Sequence, residues 1–237
     1  MKQTTVSTIS LKQEIIDTVL ILICYIVTAF IGGGWPFRVL LSAGYVMALI
    51  EIYTSAYCRL RLDEKPSCFA IACTTLTLVA ALVLLWTCPL STGNYLYWIG
   101  IVTAADAFGL FFGRFFGEDK PFFSRDISPN KTNAGYLGEM IGSIMVGMII
   151  AAYFEFPATP STMCFLFFGF IACAIGDLIA SAAKRELGIK HSSDDLLDKP
   201  ILGKIESLVR SRHGFLDCLD SASFSFIFYI ILLKGCP

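Results

Sequence analysis

Seven apolar runs, each about as long as a bilayer is thick, constrain this sequence more than any other feature. They cover residues 15–31, 37–57, 68–88, 95–112, 135–153, 163–183 and about 219–233. A helix needs about 20 apolar residues to cross a membrane, and lipid cannot satisfy an unpaired backbone, so we predict seven transmembrane helices. The composition agrees, because only 16% of the residues are charged, against about 25% in soluble domains. The sequence therefore predicts an all-α, multi-pass integral membrane protein.

The charge balance and the cysteines exclude several other classes of protein. The chain has 18 Lys and Arg against 19 Asp and Glu, a net charge of −1, so it has no basic field for nucleic acid, and we expect no nucleic-acid partner. Its 9 cysteines include no Cys-x-x-Cys pair and lie mostly in apolar runs. They are interpreted as packing residues rather than as disulfides or zinc ligands.

The distribution of Lys and Arg predicts the orientation of the helices. Nearly all of the 18 basic residues lie before the first run or in the loops after the second, fourth and sixth runs. Only Arg38 and Lys234 fall on the other side. The positive-inside rule therefore predicts a cytosolic N-terminus and a C-terminus outside.

Carboxylates inside the apolar runs are the first candidates for function, because charges within a membrane are costly. They are Glu51, Asp106, Glu139 and Asp177, with Asp217 and Asp220 at the start of the last run. At about 1.5 Å of rise per residue, all six should lie at one depth near the cytosolic ends of their helices. We therefore predict a polar cavity that opens to the cytosol. Structural pairing or helix capping is the alternative, above all for Glu51.

The spacing of these residues suggests a phosphate and cation site. Asp177, Ser181 and Lys184 fall on one helix face, and Asp217 and Asp220 are three residues apart. Carboxylates, a hydroxyl and lysines on facing helices could hold hard cations and the phosphates that those cations neutralise.

The loop before the fifth run is a weaker phosphate candidate. Residues 128–132 read Ser-Pro-Asn-Lys-Thr and precede a predicted helix start, where backbone N–H groups can meet an anion. They lack the glycine of a Walker A loop. The glycines that recur every four residues, at 109–117 and 138–142, are interpreted as positions of close helix packing.

Four ordered blocks resemble the membrane-integral phosphatidate cytidylyltransferases, also called CDP-diacylglycerol synthases. The first is Asp106 with Gly-Arg-Phe-Phe-Gly at 113–117, and the second is the loop 128–132 with Gly135. The third is Gly-Asp-Leu, Ser-x-x-Lys-Arg and Gly-x-Lys over 176–190, and the fourth, at 213–221, begins His-Gly and ends Asp-Cys-Leu-Asp-Ser. The resemblance implies one membrane domain over 1–237, with divergent helices over 1–100 and a catalytic core over 101–237.

The sequence departs from the family pattern at several positions. His191 stands where the family has an aspartate, and Asp194 or Asp195 is a candidate to replace that carboxylate. Asn133, Phe215 and Cys218 replace a tryptophan, a glycine and an arginine of the family pattern.

The resemblance implies that CTP and phosphatidic acid react to give CDP-diacylglycerol and pyrophosphate for phospholipid synthesis, with Mg²⁺ and possible room for a second cation. It implies that Asp177, Asp217 and Asp220 hold the metal. These three are the expected catalytic residues, together with Lys184 and Arg185. The expected substrate-binding residues are Asp106, Ser128, Lys131, Thr132, Ser181, Lys190 and His213. An ionised lipid phosphate needs no general base.

Two alternatives stay open at this point. One is a related CTP-dependent enzyme that acts on a polyprenyl phosphate, an archaeal-type lipid or a polyprenol. The other is a cation-coupled transporter, although the charges lie at one end of the helices and we find no internal repeat. The oligomeric state, with a homodimer as one option, also stays open.

Overall fold

The computed structural model describes residues 34–61, 68–117, 119, 127–128, 131–188 and 215–235. In these residues the chain forms six helices and no strand. The helices are α1 (Trp35–Arg61), α2 (Phe69–Thr87), α3 (Thr92–Phe116), α4 (Asn133–Tyr153), α5 (Pro160–Glu186) and α6 (Phe215–Gly235). Each corresponds to one predicted apolar run, so the all-α prediction is confirmed. The first run, 15–31, lies outside the described residues, and the total of seven stays a prediction.

The lengths and compositions of these helices are those of a membrane protein. Within the described residues, α1 to α5 are each long and apolar enough to cross a bilayer. Large apolar side chains such as Leu76, Phe111 and Ile149 remain exposed on the outer surface of the bundle. Such a surface is stable only against lipid, so the protein is an integral membrane protein.

The helix starts follow two chemical patterns. Three helices begin with a hydroxyl N-cap that accepts a backbone N–H: Ser91 before α3, Thr132 before α4 and Thr159 before α5. The first turns of α2 and α6 instead donate to carboxylates from other helices, Glu186 and Glu51. Both patterns satisfy N–H groups that have no partner within their own helix.

Aromatic side chains fill the bundle at one end. They belong to the first two turns of α3 and α5 and to the second half of α6. Trp98 of α3 packs on Phe226 of α6, and Phe165 of α5 packs on Tyr229 of α6. Their polar atoms are paired, since Trp98 Nε1 donates to Ser225 Oγ at 3.2 Å. Such ring contacts with paired polar atoms stabilise the packing of this part of the described bundle.

Helices α3 and α4 approach each other closely at glycines. A Cβ atom on Gly142 would lie 2.6 Å from Phe108 Cβ and 2.7 Å from the backbone oxygen of Ala104, and a Cβ atom on Gly138 would collide with Phe108. Only glycine allows the backbones to come so near. The interpretation of the repeated glycines as packing positions is confirmed here.

The cysteines of the described residues are consistent with packing roles. Cys68, Cys73, Cys88, Cys164 and Cys173 are all free thiols. The interpretation of the cysteines as packing residues stays a prediction.

Candidate functional site

The intramembrane carboxylates meet at the end of the bundle opposite the aromatic cluster. Asp106 lies late in α3, Glu139 early in α4, Asp177 late in α5 and Asp220 early in α6. Antiparallel helices bring these four segments together, and the hydrogen bonds described below connect them. The prediction that they share one depth is confirmed for the described side chains.

Lys131 connects two of these carboxylates. Its Nζ lies 2.6 Å from Glu139 Oε1 and 2.7 Å from Asp177 Oδ2. The side chains of Lys131 and Asp177 are 20% and 21% exposed, whereas that of Glu139 is only 5% exposed. The loop before α4 is thereby tied to both α4 and α5 by charge-assisted contacts.

These carboxylates also keep Lys131 protonated. Burial alone would lower the pKa of its ammonium group, but the charges of Asp177 and Glu139 outweigh burial and hold the pKa above its ordinary value. Below the ordinary lysine pKa the ion pairs contribute fully to folding. Their contribution is lost only as the pH rises through the raised value of the folded protein.

A second contact network joins α3, α5 and α6. The carboxyl groups of Asp177 and Asp220 lie close to each other. Ser221 Oγ donates to Asp106 Oδ1 at 3.2 Å, and the Ser221 backbone N–H donates to Asp220 Oδ1 at 2.7 Å. Asp106 is exposed, so this network of oxygen atoms reaches the surface.

Two glycines make room for this arrangement. A Cβ atom on Gly176 would collide with the backbone oxygen of Asp220. Glycine at this position therefore lets the backbone of α6 lie close to α5, beside Asp177. A Cβ atom on Gly109 would lie 2.6 Å from Glu139 Cγ. The family-like Gly-Asp pair at 176–177 therefore has a steric explanation.

Carboxylate oxygens from several helices come together at this site. Asp177 and Asp220 bring carboxylates together from two helices, and Glu139 Oε2 is buried and accepts no hydrogen bond. Within the described parts of the chain, no three His, Cys, Asp or Glu side chains form a metal-binding group by themselves. Magnesium commonly takes only one or two carboxylates and completes its shell with phosphates and water.

The predicted residues of α5 lie along the same helix end. Ser181 and Lys184 are buried, and Lys184 is close enough to Asp177 for their charges to interact. Arg185 is exposed, and its Nε donates to the backbone oxygen of Ile127 at 3.3 Å. Both cations are thus next to the carboxylate cluster or to the loop before α4.

The described residues of the predicted phosphate loop are Ser128, Lys131 and Thr132. The backbone N–H of Lys131 donates to the Ser128 backbone oxygen at 3.1 Å. Thr132 Oγ1 accepts the N–H of Gly135 at 3.1 Å, and its residue is buried. Thr132 therefore caps the start of α4. The expected phosphate contacts of the Ser128 and Thr132 hydroxyls stay predictions.

Several predicted residues lie outside the described residues. They are Lys190, His191, Asp194, Asp195 and His213, together with the side chain of Asp217. Their proposed roles stay predictions.

The sequence assigns no specific role to Glu139 or Ser221, yet they contact Lys131 and Asp106, which are expected to bind substrate. The sequence does carry a signal for each. Glu139 was one of the intramembrane carboxylates, and Ser221 directly follows Asp220 in the fourth family-like block. The sequence does not show that the side chain of Lys131, eight residues before Glu139, contacts the Glu139 carboxylate.

Comparison with known proteins gives the family. The profile of the Cytidylyltransferase family matches residues 66–236. The chain therefore belongs to the cytidylyltransferase family. The matched region includes all of α2 to α6, and hence every carboxylate of the cluster described above.

Individual relatives are named phosphatidate cytidylyltransferase. That of Chlamydia muridarum is 34% identical over 147 residues, which are 58% of this chain and 42% of that protein. Phosphatidate cytidylyltransferase 4, chloroplastic, of Arabidopsis thaliana is 30% identical over 150 residues, 59% of this chain and 34% of that protein. In Staphylococcus haemolyticus the relative is 25% identical over 208 residues, 86% of this chain and 71% of that protein. The chain thus spans less than half the length of the first two, and no solved structure matches it.

Replacing Lys131 should destabilise the protein strongly. Lys131→Met would leave the carboxylates of Glu139 and Asp177 without their shared counter-ion, and breaking a buried ion pair from one side costs about 3 kcal/mol or more. Adding Glu139→Gln should recover part of this loss, because it removes one uncompensated charge. Thermal and denaturant unfolding of the purified variants in detergent would measure both effects.

Lys234→Met is the matched control, since Lys234 is exposed at the far end of α6. Its effect should stay within about 0.5 kcal/mol. A Lys131→Met protein as stable as this control would show that the two ion pairs contribute little.

Proposed function

We propose that this protein transfers the cytidylyl group of CTP to phosphatidic acid, with CDP-diacylglycerol and pyrophosphate as products. The observation that carries this proposal is the cluster of Lys131, Asp177 and Asp220 at the end of a membrane bundle. A nucleotide phosphate and a lipid phosphate can reach such a place together. The names of the relatives support the same reaction, and so does the family to which the chain belongs.

The cationic side chains would neutralise and orient the two phosphate groups. A lipid phosphate oxygen would attack the α-phosphorus of CTP, the bond to the bridging oxygen would break, and pyrophosphate would leave with that electron pair. Lys131, Lys184 and Arg185 would bind the phosphate oxygens, and Ser128 and Ser181 would donate hydrogen bonds. Phosphoryl and nucleotidyl transfers depend mainly on such positioning and charge neutralisation.

Mg²⁺ fits the oxygen atoms of Asp177 and Asp220, which would hold it with help from Asp217. When bound, the cation supplies positive charge to the phosphates during the reaction. In its presence Lys131 would retain Glu139 as a partner while its ammonium group turns from Asp177 towards phosphate. Lys131 could change partner in this way because its ammonium group contacts Glu139 at 2.6 Å and Asp177 at 2.7 Å, so it keeps one ion pair when it loses the other.

The orientation of the site follows as part of the proposal. The carboxylate cluster lies at the end of the bundle to which the Arg- and Lys-rich loops belong, so it would face the cytosol. CTP would enter from the cytosol, while the acyl chains of the lipid stay in the bilayer.

Asp220→Asn and Asp217→Asn should each abolish turnover while the protein stays folded. An amide is a poor replacement for a carboxylate at a magnesium site. The assay measures pyrophosphate release from CTP in nanodiscs that contain phosphatidic acid, with and without Mg²⁺. Parallel nanodiscs with a polyprenyl phosphate or a polyprenol test the other lipid substrates.

Glu155→Gln is the matched control, because Glu155 is an exposed carboxylate after α4, at the opposite end of the bundle. It should keep wild-type turnover. Release of pyrophosphate only with polyprenyl phosphate would overturn the choice of lipid. Full activity of Asp220→Asn at saturating Mg²⁺ would overturn the assignment of the site.

A topology measurement tests the orientation. A reporter fused after Lys234 should report the non-cytosolic side, and one inserted within residues 190–212 should report the cytosolic side, because of the asymmetric distribution of basic residues. A cytosolic signal from both positions would contradict the proposed orientation.

A further inference from the structure

A carboxylate of α1 caps the helix that carries the last family-like block. Glu51 Oε2 accepts the backbone N–H of Leu216 at 2.9 Å, and Glu51 is only 2% exposed. Leu216 is the second residue of α6. The contact joins parts of the chain that are 165 residues apart.

The contact compensates two groups that would otherwise be costly. The N–H groups in the first turn of a helix have no partner within that helix. A buried carboxylate also needs stabilising contacts, and the positive end of a helix dipole attracts it. This hydrogen bond therefore stabilises the start of α6 in one position, next to the Glu51 carboxylate.

The position of α6 along its axis matters for the site. Asp220 lies one helical turn after Leu216, and the next residue, Ser221, donates to Asp106. A shift or fraying of the first turn would move Asp217 and Asp220 relative to Asp177. Small displacements in such sites are expensive, since a misplacement of about 1 Å can cost about 10²-fold in rate.

We propose that Glu51 is a positioning residue, which fixes the start of α6 and thereby places Asp220 against Asp177. This inference rests on the proposed function only for its kinetic consequence. Glu51 lies outside the region 66–236 that the family profile matches, so the comparisons do not assign it this role. It acts through the helix and has no contact with substrate in this account.

The chain offers a matched control for this proposal. Glu186 Oε2 accepts the backbone N–H of Ile71 at 3.1 Å, in the first turn of α2. This too is a carboxylate of one helix that caps another. The first turn of α2, however, carries none of the carboxylates assigned to the site.

The test compares Glu51→Leu, Glu51→Gln and Glu186→Leu in nanodiscs. Hydrogen–deuterium exchange should show increased uptake at residues 215–220 in Glu51→Leu and not at residues 69–73. Glu186→Leu should show the reverse. Glu51→Gln should resemble wild type, because its amide oxygen can accept the same N–H.

The kinetic measurements use pyrophosphate release per folded protein. Glu51→Leu should lower kcat by about tenfold or more, because the carboxylates are misplaced, and should raise the Mg²⁺ concentration for half activity. Glu51→Gln should recover most of kcat. Glu186→Leu should lower the melting temperature and leave kcat and the Mg²⁺ requirement near wild type. If Glu51→Leu does not fold, Glu51→Asp replaces it, since its shorter side chain withdraws the acceptor and should give the same local uptake.

Two results would overturn the proposal. One is local uptake in Glu51→Leu that equals wild type at 215–220. The other is a Glu51→Leu enzyme with the kcat and Mg²⁺ requirement of Glu186→Leu, which would make Glu51 a stabilising residue only. If wild-type protein releases no pyrophosphate with any lipid, the proposed function fails, and the exchange data still decide whether Glu51 fixes the start of α6.

Discussion

The ammonium group of Lys131 lies between two carboxylates that belong to two different helices. Without it, Glu139 and Asp177 would place uncompensated negative charge inside the bundle, which is among the costliest arrangements in a membrane. With it, the loop before α4, the start of α4 and the end of α5 are held in one geometry. Asp220 lies next to Asp177 of this frame, and Asp106 accepts a hydrogen bond from Ser221, the residue after Asp220.

The two ends of the bundle differ in chemistry, and this difference supports the proposed function. One end is filled by aromatic rings whose polar atoms are paired, such as Trp98 with Ser225. The other end holds carboxylates, hydroxyls and Lys184, and it reaches the surface at Asp106. The polar groups of the described residues are thus gathered away from the aromatic cluster. The family to which the chain belongs, rather than this asymmetry, disfavours a transporter.

The sequence predicted the helices well because bilayer thickness fixes the length of an apolar run. It also predicted that Asp106, Glu139, Asp177 and Asp220 meet, since helix direction and depth follow from counting residues. It could not predict the partners of single atoms. That Lys131 contacts Glu139, and that Glu51 caps α6, depend on side-chain reach and helix rotation. Neither quantity appears in hydropathy or in a local motif.

In the proposed function, Asp177 and Asp220 would hold the cation that accompanies CTP. Electron-spin-echo spectroscopy of Mn²⁺, a substitute for Mg²⁺ at oxygen sites, tests it most directly on protein in nanodiscs. With CTP present, the account predicts one bound Mn²⁺ that couples to ³¹P of the nucleotide. After free Mn²⁺–CTP has been removed, the double variant Asp177→Asn with Asp220→Asn should retain no protein-bound Mn²⁺ and hence no such coupling. An unchanged signal from the folded double variant would contradict the account.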